Sequence, residues 1–164
     1  MPKLGIAIIG AGMIGTVHRR AALLAGAEVR GVAASSPQRA REAAQSWNVP
    51  RAYRNIEEVV ADPQVQVVHV CTPNHLHRSM AQAALEAGKH VICEKPLATT
   101  LEDAQALAGL AASTGLVATV PFVYRYHPVV REARARIAQG DLGPLHLIHG
   151  SYLQDWLLDP ASNN

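Results

Sequence analysis

Three features of this 164-residue sequence predict an α/β fold: a doubly wound parallel sheet, followed by the start of a second α+β domain. Short aliphatic runs alternate with helical segments as far as residue 120. A glycine-rich loop, Gly10–Gly15, joins the first run to the first helix. The alternation stops at Pro121, and residues 121–164 are too few to bury a core of their own. The expected division is therefore 1–120 and 121–164.

Each element follows from a local pattern. Leu4–Ile9 is a continuous apolar run of strand length. Met13–Ala25 has helical character and ends at Gly26. Glu28–Ala33 is a second strand. Ser36 is placed to cap a helix whose first position is Pro37, where a missing N–H costs nothing; that helix reaches Trp47. Ala52-Tyr53 is a short third strand, and Asn55 caps a brief helix that Asp62-Pro63 ends. Val65–Val70 is the fourth strand, His75–Ala87 a helix closed by Gly88, and His90–Cys93 the fifth strand. Thr99-Thr100-Leu101-Glu102 fits a capping box for a helix ending near Gly115, and Leu116–Val120 is one more strand. Strands separated by helices need crossover connections, which makes the sheet parallel with helices on both faces. After FVYRYHP, Val129–Gln139 is helical up to Gly140, and Pro144–Ser151 alternates weakly, like the first strand of a different sheet.

Composition excludes several functions. Hydrophobic residues are 49% and aromatic ones 4%, so a globular core of aliphatic side chains and alanine is expected. Lys+Arg is 15 and Asp+Glu 13, a formal charge of +2, which gives no electrostatic case for nucleic acid. Arg131, Arg134 and Arg136 fall at helical spacing and read as a solvated face. No apolar run approaches a membrane span, and the N-terminus lacks the long apolar region of a signal peptide. Cys71 and Cys93 end strands without metal-ligand spacing, and His75 with His77 lacks a third ligand, so no metal site is expected. Two free thiols suit a reducing compartment, hence the cytoplasm.

Gly10-Ala11-Gly12-Met13-Ile14-Gly15 matches G-x-G-x-x-G between a strand and a helix, the context in which the motif binds a dinucleotide. The first glycine permits the turn, the second lets backbone approach a pyrophosphate, and the third lets helix and strand pack closely. The bland alternative is a turn with no ligand. At the end of the second strand an acidic residue would bind the ribose hydroxyls of NAD. Here stand Ser35 and Ser36, with Arg39 able to reach a 2′-phosphate, so NADP is favoured and NAD is the alternative. The opposing reading makes Ser36 a helix cap and leaves Arg39 in water.

Ligands of open α/β sheets sit outside the carboxyl ends of the strands. Thr72, Pro73 and Asn74 follow the fourth strand, and Glu94, Lys95 and Pro96 follow the fifth. A lysine at that edge can take the proton of a hydroxyl while hydride leaves its carbon. Desolvation and a positive nicotinamide ring favour this; a neighbouring carboxylate opposes it. An ordinary exposed loop lysine is the competing reading.

Together the glycine loop, CTPNHLH at 71–77, EKP at 94–96 and YRYHP at 124–128 resemble the Gfo/Idh/MocA family along essentially the whole chain. The resemblance implies a Rossmann domain and an NAD(P)-dependent oxidoreductase acting on sugars, polyols or related compounds. It implies that Lys95 is an acid/base and substrate-orienting residue, that Glu94 helps to place the cofactor, and that the Lys95-Pro96 peptide is often cis. It places Asn74 and His77 near the nicotinamide, although His77 reads as a helix-start or packing residue rather than an acid/base, and it makes Tyr124 and Arg125 candidate substrate or cofactor contacts. His18 reads as a partly buried surface histidine. Members are usually more than twice as long, oligomerise through a second domain, and commonly carry an Asp-x-x-x-His pair there. That pair is absent here, so a fragment or truncated product is expected. Two rival readings stay open: a redox-neutral, NAD-dependent glycoside-cleaving enzyme, and a non-catalytic nucleotide-binding module.

Overall fold

A computed structural model describes residues 3–153 and Asp155. They divide into a first unit ending at Phe122 and a second beginning at Val123.

In the first unit the chain runs β1 (Gly5–Ile9), α1 (Met13–Leu24), β2 (Glu28–Ala33), α2 (Pro37–Trp47), β3 (Arg51–Tyr53) and α3 (Ile56–Ala61). It continues through β4 (Val67–Val70), a 3-10 turn at Asn74–Leu76, α4 (His77–Glu86), β5 (His90–Cys93), α5 (Leu101–Thr114) and β6 (Ala118–Thr119). All pairings are parallel, in the order β3-β2-β1-β4-β5-β6. This is the doubly wound order of a dinucleotide-binding sheet. The order reverses between β1 and β4, since β2 and β3 build outward on one side and β4 to β6 on the other.

Strand periodicity explains why β1 is apolar throughout. Successive side chains point to opposite faces, and both faces are covered. Ile6 and Ile8 join Val29, Val32, Ala44 and Trp47 in one core. Ala7 and Ile9 join Val68, Val70, Leu85, Val91 and Leu107 in the other. The helices begin where short polar side chains can take orphan N–H groups. Ser36 accepts from the Arg39 N–H at 3.2 Å and Asn55 from the Glu58 N–H at 3.1 Å. The capping box lies one residue later than expected: Thr100, not Thr99, is the cap, accepting from the Asp103 N–H at 3.2 Å.

The turn from β1 to α1 leaves no space for side chains at two positions. Gly10 has φ +107°, and a Cβ on it would lie 2.2 Å from the Cys71 carbonyl oxygen. A Cβ on Gly15 would lie 1.9 Å from the Gly10 carbonyl oxygen.

The second unit contains a 3-10 turn at Val123–Tyr126 and α6 (Pro128–Gln139), which ends at Gly140 with φ +83°. The strand expected at Pro144–Ser151 is not formed; these residues are irregular and exposed. The alternating pattern was present, but a strand exists only when a neighbour takes its hydrogen bonds. Similarly, only Ala118–Thr119 of the expected Leu116–Val120 strand pairs with β5, as the sheet edge.

Gly15→Ala should cost about 1–3 kcal/mol, because its neighbour is backbone and must shift. Gly109→Ala, inside α5 with nothing within 4 Å, should instead stabilise by roughly 0.5–1 kcal/mol. Urea unfolding of the two variants, followed by circular dichroism, checks the contrast.

Candidate active site

A cleft of about 860 Å³ opens at the carboxyl ends of β1, β2 and β4, where the strand order reverses. Gly10 and Gly12 form its floor on the β1 side, Ser35 and Arg39 its β2 wall, and Thr72 and Pro73 its β4 wall. Gly12 caps α1 without a side-chain hydrogen bond, so the first N–H groups of the helix face outward with no capping acceptor. A Cβ on Gly12 would meet nothing within 4 Å; it would only fill the hollow in front of those N–H groups. The Thr72 hydroxyl is buried and has no hydrogen-bond partner. An anion-binding helix end, an open cradle and an unmatched hydroxyl in one cleft fit a dinucleotide, with its pyrophosphate at the α1 N-terminus.

The residues expected at this site take different roles. The backbones of Gly10, Gly12, Met13, Ile14 and Gly15 form the turn, while the Met13 side chain is 84% exposed. The Arg39 guanidinium Nη1 donates to Ser35 Oγ at 3.5 Å, whereas the Ser36 hydroxyl is engaged as a helix cap. Asn74 opens the 3-10 turn after β4. His77 is fully buried, with Nδ1 2.7 Å from the Pro96 carbonyl oxygen and Nε2 2.9 Å from the Thr72 carbonyl oxygen. Carbonyl oxygens only accept, so a neutral ring donates to one of the two and only an imidazolium bonds both; in each case the ring lies between the loops after β4 and β5. Both nitrogens face carbonyls, which suits the packing role expected of His77.

β5 delivers Glu94 and Lys95 to the same sheet edge, and the Lys95-Pro96 peptide is cis. Lys95 is exposed, and among the described residues no carboxylate lies within ion-pair distance of its ammonium. Glu94 is buried and points elsewhere. Its Oε1 lies 2.9 Å from His18 Nε2, and its Oε2 accepts the Lys95 backbone N–H at 3.1 Å. His18 in turn meets His69, Nδ1 to Nδ1, at 3.0 Å. His18 is thus not a surface histidine: it is 7% exposed and part of a buried polar cluster. His69 carried a visible signal, a polar residue inside the run VVHV. His18 carried a fainter one, three residues after Gly15 and four before Ala22, the spacing of a single helix face.

Burial shapes the electrostatics here. It pushes the Cys93 thiol up to about 12, with the Glu94 charge adding to the effect, and raises Cys71 for the same reasons. Both are free, buried thiols and poor nucleophiles. Burial also pushes His69 down to about 4, with His18 as the second cause.

The remaining candidates, Tyr124 and Arg125, belong to the second unit. Both are exposed in the turn before α6, where the Tyr124 and Tyr152 hydroxyls lie 3.1 Å apart.

Residues 4–122 match the family model for the GFO_IDH_MocA oxidoreductases, described as an NAD-binding Rossmann fold. The chain belongs to this family. It is 38% identical over 171 residues to levoglucosan dehydrogenase of Pseudarthrobacter phenanthrenivorans, an alignment that covers 99% of this chain and 44% of that protein. It is also 38% identical to 1,5-anhydro-D-fructose reductase of Ensifer adhaerens, over 82% of this chain and 42% of the reductase. Among solved structures, levoglucosan dehydrogenase in complex with NADH and levoglucosan is similar at a TM-score of 0.80 and 37% identity, over 87% of this chain and 41% of that one. An oxidoreductase domain protein from Kribbella flavida is similar at a TM-score of 0.92 and 35% identity, over 99% and 46%. The chain thus spans less than half the length of the relatives it matches. Among the described residues no helix is long and apolar enough to cross a membrane, and no three His, Cys, Asp or Glu side chains are arranged so as to hold a metal ion.

The lowered His69 value has a consequence for stability. Above pH 6.5 the ring is neutral whether the chain is folded or unfolded. Between pH 6.5 and about 4 only the unfolded chain takes up the proton, so stability should fall with acidification across that window. The expected loss is up to about 3 kcal/mol. His69→Gln should flatten this part of the curve, as read from urea unfolding at pH 7.5 and pH 4.5.

Proposed function

We propose that this chain is the dinucleotide-binding part of an NAD(P)-dependent dehydrogenase that oxidises a secondary hydroxyl of a sugar or polyol. The observation that carries the reading is Lys95. It stands exposed after β5, at the carboxyl edge of the sheet, while the acid next to it is turned inward. A lysine free of an ion-pair partner can address a substrate hydroxyl, and a carboxylate held by other donors does not compete for its ammonium. The names of the relatives, levoglucosan dehydrogenase and 1,5-anhydro-D-fructose reductase, support a sugar-derived substrate.

When bound, the nicotinamide supplies the acceptor for a hydride leaving the carbinol carbon. The backbone at Gly12 and the α1 N-terminus hold the pyrophosphate, and Thr72 offers a hydroxyl in the cleft wall. As the neutral amine, Lys95 Nζ would take the proton of the substrate hydroxyl while the carbonyl forms, and the resulting ammonium would return it in the reductive direction. Tyr124 and Arg125 are proposed to meet the substrate.

For the nucleotide, NAD(H) is the general reading, supported by the family description and by the NADH complex of levoglucosan dehydrogenase. The finer proposal is NADP. Ser35 and Arg39 stand together in the cleft wall, and neither Ala34 nor Ser35 is an acid that would repel a 2′-phosphate. The Ser36 oxygen accepts the Arg39 N–H as a cap, which leaves its own O–H proton to donate.

Lys95→Ala should lower NAD(P)H formation from levoglucosan or myo-inositol by about 10²–10⁴-fold. Nucleotide binding, followed by nicotinamide fluorescence, should stay within about threefold, since no step of binding needs the ammonium. Turnover that survives the substitution removes Lys95 from the chemistry.

Titration with NADPH and NADH tests the phosphate pocket. NADPH should bind more tightly, and Arg39→Ala should erase a difference of about tenfold. Tighter NADH binding by the unsubstituted chain would discard the pocket and keep the domain.

A further inference from the structure

We propose that His18 is a positioning residue for Lys95: its bond to Glu94 ties α1, which carries the glycine loop, to the lysine at the end of β5. This builds on the reading of Lys95 as the proton-transfer group, although the tie itself is testable without it.

The two oxygens of Glu94 make different bonds. One faces His18 Nε2 at 2.9 Å, from a side chain 76 residues away in sequence. The other accepts the N–H of Lys95 at 3.1 Å. The carboxylate is therefore a bridge whose near end fixes the backbone of Lys95 and whose far end is held by α1. A buried carboxylate that loses a partner turns or protonates, because its desolvation is no longer offset. Without His18, the orientation of Glu94 and of the N–H it holds has no other side-chain support among the described residues.

The Glu94 carboxylate, which only accepts, places a proton on His18 Nε2, and His69 faces the other ring nitrogen. Their rings meet edge to face, with centroids 5.2 Å apart and planes at 81°, and their Nδ1 atoms are 3.0 Å apart. Two facing ring nitrogens bond only if one donates and the other accepts. A His18 that donates from Nε2 to the carboxylate and accepts at Nδ1 satisfies both contacts, with His69 donating from Nδ1. On the far side of Lys95, His77 lies 2.7 Å from the Pro96 carbonyl oxygen. Both sequence neighbours of the lysine are thus held by buried imidazoles, and only its own side chain is left to reach outward.

The consequence for chemistry is geometric. A proton-transfer group must sit within hydrogen-bond reach of the hydroxyl while the nicotinamide lies over the carbon. The nucleotide is placed by α1 and the lysine by β5. His18 is the side chain that connects the two, three residues beyond Gly15.

The test uses the complete chain, with nitrogen-15 imidazole spectra and amide hydrogen exchange at pH 7. In the unsubstituted protein, His18 should carry its proton at Nε2. His18→Leu should speed exchange of the Lys95 amide about tenfold relative to that of Ile8 in β1, the scale of one charge-assisted hydrogen bond. His18→Gln, whose amide reaches the carboxylate, should keep the Lys95 amide near its original rate. NADH affinity should change little in either variant. In the levoglucosan or myo-inositol assay, His18→Leu should lower kcat about tenfold at unchanged NADH affinity, and His18→Gln should recover most of it.

A His18 protonated at Nδ1 alone would overturn the proposal. So would an unchanged Lys95 amide in His18→Leu, or equal acceleration of Lys95 and Ile8, which marks a purely structural role. If His18→Leu does not fold, the imidazole spectrum and the Lys95 amide in His18→Gln decide instead. Turnover that survives Lys95→Ala would refute the proton-transfer reading while leaving the exchange result for His18 intact, so the two failures are distinguishable.

Discussion

Between the first strand and the first helix, backbone packs on backbone with no side chain between. Gly15 sits where a Cβ would strike the Gly10 carbonyl, and Gly10 sits where one would strike the Cys71 carbonyl. Two contacts of this kind bring α1, β1 and the loop after β4 to a single point. The rest of the site depends on that approach. It aims the uncapped end of α1 along the sheet edge, it opens the hollow at Gly12, and it sets His18 against the end of β5. A side chain at either position would push the helix away and separate these groups.

Around that point the protein handles polar groups in two ways. At the carboxyl edge of the sheet some are left open: the first N–H groups of α1 and the Lys95 ammonium. Beneath it they are closed on one another, with His69, His18 and Glu94 in one chain and His77 between two carbonyls. Buried polar groups are stable only when satisfied, whereas groups that bind a ligand must be left unsatisfied until it arrives. The closed groups stand on α1, β4, α4 and just after β5, while the open ones follow β1 and β5.

Much of this was legible locally. Continuous apolar runs marked the buried strands, since parallel strands covered on both faces need no polar residue. Ser36 and Asn55 announced their helices through capping chemistry, and Thr100 did so one residue away from the expected place. Gly10, Gly12, Thr72 and Lys95 were visible as candidates because motif spacing alone fixes them to strand ends. Less was legible where a pattern needs a distant partner. Pro144–Ser151 alternates as a strand does but has no strand beside it. His77 stood out as a site residue, yet its ring holds the loops together from inside. His18 shares the helix face of Gly15 and Ala22, which marks burial, but its partner Glu94 lies far along the chain.

By itself the sequence determined the elements, the glycine turn and the identity of the residues at each strand end, because these rest on interactions within a few residues. It also carried the resemblance that the family match bears out. Only the tertiary structure decided that β1 lies between β2 and β4, which opens the cleft. It also decided that Glu94 turns toward His18 rather than toward Lys95, and that His69 is held neutral near neutrality by burial. These depend on which groups meet after the chain has folded, and on how much water is excluded when they do. No local pattern encodes either.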